Sequence, residues 1–289
     1  MGNSWLIALV TSTLFSAVPL VLAAMGGVLS ERSGVVNIAL EGFMLAGAFV
    51  GFYFGLHSVP MGIFAVLITG AILGLLHAFF TQKARMNPVV SGLGLNLLLA
   101  GATRYLALRL FPEGGHIDGL SPNLFLGLAI LLPFLLLFTL NQTKFGLRLR
   151  AVGENPESAR MAGIAPHPPR YWAVMLSGIC GTTAGAYLSM ADAHTFTSDM
   201  SAGKGYVALA AVIFGKWNPL GAAGGALFFG FFYALQTQLQ INQYHLNALG
   251  IEWTSPFLLD CLPYLMTLLA LVSVIGRATP PAALSIEED

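Results

Sequence analysis

The stretch VPMGIFAVLITGAILGLLHAFF, residues 59–80, contains no Asp, Glu, Lys or Arg. Its apolar residues run continuously instead of alternating, so it does not read as a half-buried strand. About 20 apolar residues in a helix span a hydrocarbon core of about 30 Å, and the stretch is long enough to do so. Reading outward from it gives eight more charge-poor runs: 5–29, 35–54, 88–110, 121–140, 171–191, 205–215, 220–241 and 257–276. The sequence therefore predicts an all-α, polytopic transmembrane helix bundle of about nine hydrophobic segments. The 205–215 run, flanked by Lys204 and Lys216, is short for a full crossing. It reads either as a crossing with snorkelling lysines or as a re-entrant half-helix.

Composition agrees. Of 289 residues, 56% are hydrophobic and 9% are charged, against about 25% charged in a soluble domain. A secreted enzyme, a cytosolic enzyme and a nucleic-acid binder are excluded. The first thirty residues carry no charge, so 5–29 reads as a retained span and not as a signal with a basic leading region. Cys180 and Cys261 lie far apart and show no metal-ligand or redox spacing. Residues 1–277 form one membrane domain with a polar loop at 141–170. The tail 278–289 contains proline, ends in three acids and is expected to be disordered.

The net charge is zero, with 13 basic and 13 acidic residues, but the signs are sorted by position. With the 141–170 loop placed in the cytoplasm, alternating crossings put Arg32, Lys83, Arg85, Lys144, Arg148, Arg150, Arg160, Arg170, Lys216 and Arg277 inside. Arg104, Arg109 and Lys204 fall at outer ends, beside Glu113, Asp118, Asp192, Asp199, Glu252 and Asp260. By the positive-inside bias, the N-terminus is outside and the C-terminus cytoplasmic.

Within that loop, Asn155-Pro156 is a helix start, because asparagine caps free amides and proline lacks the first N–H. Glu157 follows in the first turn, where the helix dipole favours an anion. Gly163 supplies a left-handed stop, and Pro166, Pro168 and Pro169 prevent continuation. A helix of about eight residues is expected over 155–163. It can pack on its own bundle or dock in a partner's groove through Ala159, Met161, Ala162 and Ile164. No GxxxxGK[ST] phosphate loop occurs, so any nucleotide energy has to come from a partner.

The segment GLRLRAVGENPESARMAGI (146–164) resembles the coupling segment of bacterial ABC-importer permeases of the ribose/branched-chain amino acid class. ERSGVVNIALEGFMLAGAF (31–49) is similar to the signature of the nucleoside and simple-sugar subfamily. NPVVSGLGLNLLLAGATRYL (87–106) and GKGYVALAAVIFGKWNPLGAAGGALFFG (203–230) resemble its remaining blocks, in order. The resemblance implies a type II-like importer permease, the smaller of two paired permeases, in the bacterial cytoplasmic (inner) membrane. It implies as partners an ABC ATPase with two nucleotide-binding halves, a second and different permease, and a substrate-binding lipoprotein or periplasmic protein. ATP would be used by the ATPase, and this chain would bind no cofactor and perform no covalent chemistry. Glu154, Asn155, Pro156, Glu157, Arg160 and Gly163 are the implied contacts to the ATPase.

Ionisable and amide groups at membrane depth mark candidate substrate contacts, since they are costly there. Glu41 lies about six residues into its span, with Asn37 one turn earlier on the same face; the other reading pairs Glu41 with Arg32 or Arg85. Gly34, Gly42 and Gly47 can break this helix or admit a neighbour. Asn96, with Ser91 about a turn back, is a second candidate, and interhelical bonding is the alternative for both asparagines. Phe43, Phe49 and Tyr206 can stack on a base or serve as core. Arg104 and Arg109 read as snorkelling or pairing with Glu113 and Asp118. The six histidines show no ligand spacing and are expected in loops or at interfaces, and Asn218-Pro219 is expected to be a turn. Two functions remain: a permease subunit of an ATP-driven nucleoside or sugar importer, and a self-sufficient secondary transporter coupled to protons or sodium through Glu41. No GxSxG, HExxH or paired intramembrane aspartates support a hydrolase.

Overall fold

The computed structural model describes residues 2–111, 114–117, 119–242, 261–273 and 279–285. It contains α1 (Gly2–Arg32), α2 (Leu40–Gly55), α3 (Val59–Gln82), α4 (Pro88–Leu110) and α5 (Pro122–Gln142). Two short helices, α6 (Lys144–Glu154) and α7 (Pro156–Met161), lead to α8 (His167–Tyr187), which widens into a π-helical turn over Leu188–Asp192. Then come α9 (Lys204–Phe214), α10 (Pro219–Asn242), α11 (Leu262–Ser273) and a 3-10 turn at Ala282–Ser285. No strand occurs among the described residues.

Among the described residues, six helices are long and apolar enough to cross a membrane: α1, α3, α4, α5, α8 with its π turn, and α10. The 35–54 and 205–215 segments form the shorter apolar helices α2 and α9. The 257–276 segment lies partly outside the described residues, with α11 inside it. The second segment starts later than its hydropathy suggests. Gly34 has φ 89 and Val35–Asn37 is not helical, so α2 opens only at Leu40. The loop holds more helix than expected, because α6 precedes the coupling-type helix. Gly146, Leu149 and Val152 are buried on one face of α6, and that spacing was readable in the sequence. Within the tail, of which 279–285 are described, Ala283 is 4% exposed and packs beside Gly34.

Three helices, α4, α7 and α10, share one device at their starts. Asn87 Oδ1 accepts from Val89 N at 2.9 Å, Asn155 Oδ1 from Ser158 N at 2.9 Å and Asn218 Oδ1 from Leu220 N at 3.0 Å. Each asparagine is followed by proline at the first helical position, where no N–H is missed. Asn218-Pro219 is thus a turn that also caps α10.

The centre of the bundle is α8, packed against α1, α2 and α3. Small residues permit this. A Cβ at Gly185 would collide with the Met44 carbonyl, one at Gly47 with the Thr182 backbone, and one at Gly74 with the Val174 carbonyl. Lipid provides no hydrophobic drive between helices, so such close backbone approach supplies the packing. The opposite faces of α3 and α5 present Phe64, Ile72, Leu131 and Phe138 outward, as a lipid-facing surface does. We expect Gly185→Val to lower the melting temperature of the detergent-solubilised protein, at an overpacking cost of about 1–3 kcal/mol. Gly94→Val, at an open position on α4, should leave it unchanged.

Candidate functional site: a carboxylate-capped half-helix

Gly34 ends α1 with a left-handed residue, and the non-helical link to α2 carries the chain back into the bundle. This places Glu41 in the first turn of α2, facing the start of α9. Glu41 Oε1 accepts from Ser201 Oγ at 2.5 Å and from Gly203 N at 2.9 Å, and Oε2 accepts from Gly205 N at 2.7 Å. A helix N-terminus offers free amides and a positive dipole end, so this carboxylate is solvated by backbone. Glu41 makes no ion pair with Arg32 or Arg85; it caps α9 instead. The approach requires glycine, because a Cβ on Gly205 would sit 2.5 Å from the Glu41 amide nitrogen. Lys204 lies within electrostatic reach of Asp192 and Glu41, with its Nζ 5.5 Å from the Tyr233 ring centroid.

The other sequence candidates gather around this junction, in different roles. Asn96 Oδ1 accepts from Gly42 N at 2.8 Å, and its Nδ2 donates to Ile38 O at 2.9 Å and to the Tyr206 hydroxyl at 3.0 Å. It therefore ties α4 to the opening of α2 and to α9. Asn37 is fully buried and donates to Ser177 Oγ at 2.8 Å, while its Oδ1 has no partner among the described residues. Ser91 Oγ lies 3.0 Å from His77 Nδ1, and His77 Nε2 lies 3.3 Å from Val36 O. His77 is thus inside the bundle and not at an interface as expected, since the unpaired carbonyl of the broken segment needs a partner there. Phe43 is fully buried and meets His77 edge-on, with ring centroids 6.4 Å apart. Phe49 sits in an aromatic cluster with Tyr53, Phe111 and Phe196. Tyr206, 44% exposed, is the aromatic of the three that faces open space.

Sequence reading missed Ser201, Gly203, Gly205 and His77 as partners. The glycines flanking Lys204 were the available sign of an amide-lined anion cradle. Tyr264, which donates to Ala202 O at 2.6 Å, had no comparable sign. Arg109 packs over the Tyr105 ring at 5.8 Å, while Glu113 and Asp118 lie outside the described residues.

At the loop-bearing end, Pro156–Met161 forms α7, shorter than expected, with Glu157 in its first turn and Gly163 at φ 79 closing it. Met161 is 79% exposed and Ala162 is exposed, Ile164 is half-buried, and Ala159 turns inward at 4%. Beside α7, a cavity of about 420 Å³ opens between α6 and α8, lined in part by Phe145, Arg148, Ile164 and Trp172. Glu154, at the end of α6, lies 4.0 Å from the Arg32 guanidinium.

The fold is a multi-span helical bundle with broken helices meeting inside it and an exposed short helix at one end. The chain matches the family described as branched-chain amino acid transport system / permease component over residues 9–271, and it belongs to that family. It is 39% identical to the guanosine ABC transporter permease protein NupQ of Bacillus subtilis, over 95% of this chain and 94% of that one. It is 36% identical to the nucleoside ABC transporter permease protein NupC of Lactococcus lactis, with the same coverage. A second permease of that strain, NupB, is 20% identical over 75% of this chain and 69% of its own length. No solved structure is a significant match. The chain is accordingly a transport subunit and not an enzyme, and its relatives favour ATP-driven transport over ion coupling through Glu41.

Because Gly205 has no room for a side chain, Gly205→Ala should displace Glu41 and destabilise the fold by about 1–3 kcal/mol. Ser201→Ala, which removes one acceptor bond among three, should cost about 1–2 kcal/mol. Thermal unfolding of the solubilised variants checks the order.

Proposed function

We propose that this chain is one permease of an ATP-driven importer that moves nucleosides, or related simple sugars, across the bacterial cytoplasmic membrane by alternating access. The observation that carries the reading is near-full-length similarity to a guanosine and a nucleoside permease. In this reading an ABC ATPase with two nucleotide-binding halves hydrolyses the ATP. A second permease completes the pathway, and a substrate-binding lipoprotein or periplasmic protein delivers the cargo. The presence of two similar nucleoside permease proteins, NupC and NupB, in one strain supports a heteromer. The N-terminus is outside and the C-terminus cytoplasmic, in keeping with basic residues at the loop-bearing end.

The ATPase contacts are Glu154, Asn155, Pro156, Glu157, Arg160 and Gly163, with Met161 as the exposed apolar anchor. The substrate contacts are drawn from Asn37, Glu41, Ser91, Asn96 and Phe43, of which Glu41 is the partly exposed one, while the buried Asn96 bonds the exposed Tyr206. Amide and carboxylate groups match the donors and acceptors of a ribose or a base edge. Asn37, Ser91 and Phe43 are buried and act as the wall behind them.

Uptake into vesicles holding the complete complex tests this. Gly163→Ala strains a left-handed residue and should lower uptake about tenfold while ATP hydrolysis continues, a loss of the usual size for coupling between sites. Ion-driven nucleoside accumulation by this chain alone would refute the proposal.

A further inference from the structure

Helix α9 is held at both ends by residues from the two sides of one chain break. At its start, Glu41 of α2 takes the Gly203 and Gly205 amides. At its end, the Gly215–Asn218 turn runs through Lys216 at φ 53 and Trp217 at φ 55, left-handed values that are uncommon outside glycine. Two consecutive residues of α1 hold that turn. Arg32 Nε donates to the Trp217 carbonyl at 2.8 Å, and Trp217 Nε1 donates to Glu31 Oε2. Glu31 and Trp217 are each 6% exposed, so the bond between them is shielded from water.

The same arginine faces the loop helices. Its guanidinium lies 4.0 Å from Glu154, the last residue before the α7 cap. Gly153 brings the α6 backbone against the Arg32 carbonyl, where a Cβ would collide. Arg170 at the start of α8 donates to Ser33 O at 3.1 Å, which fixes the other flank of the joint. A path of contacts therefore runs from Glu154 through Arg32 to Trp217 and along α9 to Glu41. Helix α9 spans about 16 Å at 1.5 Å per residue, so a shift at its Trp217 end is delivered to Tyr206 and the polar junction.

We infer that Arg32 and Trp217 are positioning residues that convert movement of the 154–161 segment into movement of α9 beside the pathway. This rests on the proposal that α7 docks the ATPase. The test uses the complete complex in vesicles. Two variants break the path behind the docking segment: Arg32→Gln and Trp217→Phe, the latter keeping a buried ring but losing the N–H. In each, with copurified partners unchanged, uptake should fall about tenfold while ATP hydrolysis persists, as loss of coupling requires.

Spin labels at Ile213 on α9 and Leu131 on α5, both exposed in this chain, should change separation on ATP–vanadate trapping in the parent, and not in these variants. Uptake and hydrolysis that remain in the parent ratio, or labels that still move, would overturn the inference. If Gly163→Ala uncouples while the two variants do not, only the joint falls. If Gly163→Ala also stays coupled, the docking proposal fails and the inference falls with it.

Discussion

The carboxylate of Glu41 meets the amides of Gly203 and Gly205 in the interior of a membrane bundle, and much of the architecture follows from that contact. A charged group at membrane depth is expensive unless something polar surrounds it. Here the surroundings are a helix terminus, which would itself be costly to bury without a partner. Each side solves the other's problem. The arrangement demands that α9 begin inside the bundle instead of at its surface, and that α2 begin there too. Two short helices and two non-helical links are the result, and such backbone is tolerated only where protein encloses it.

The links have to satisfy their own polar groups, and this explains the remaining side chains at the junction. Asn96 serves Gly42 N and Ile38 O, and His77 lies against Val36 O. These residues belong to α4 and α3, so the break in one helix pair recruits its neighbours. Gly178, Gly181 and Gly185 of α8 then let that helix come close enough to seal the other side. The junction is a set of mutual obligations, in which Glu41 is partly exposed, Tyr206 is exposed and Asn96 is buried behind them.

What could be read from the chain, and what could not, divides along physical lines. Apolar run length located the crossings, because burial in lipid depends on composition alone. The Asn155-Pro156 cap and the Gly163 stop were legible because they act within a few residues of themselves. Glu41 was recognisable as misplaced, yet its partners were not, since Ser201 lies 160 positions away and contributes through a fold-dependent approach. His77 was misread for the same reason: its partner is a carbonyl, and a carbonyl freed by a chain break leaves no mark in composition. Gly34, Gly42 and Gly47 were readable as possible breaks in or beside the 35–54 run, but hydropathy does not register which of them turns left-handed, and that is Gly34.

A broken helix offers a transporter something that a straight crossing does not. A straight helix anchored in lipid at both ends transmits tilt to its whole length. A half-helix ending inside the bundle has one terminus at the surface and one beside the pathway, so motion at the first becomes motion at the second. That use requires firm attachment at each terminus. In this chain the inner attachment is three bonds to one carboxylate, and the outer is a pair of bonds from Trp217 to adjacent residues of α1. The two anchors sit on either side of the Gly34 break. The non-helical link between α1 and α2 therefore lies between the two anchors, so that a change in its backbone would shift one anchor relative to the other with α9 held between them.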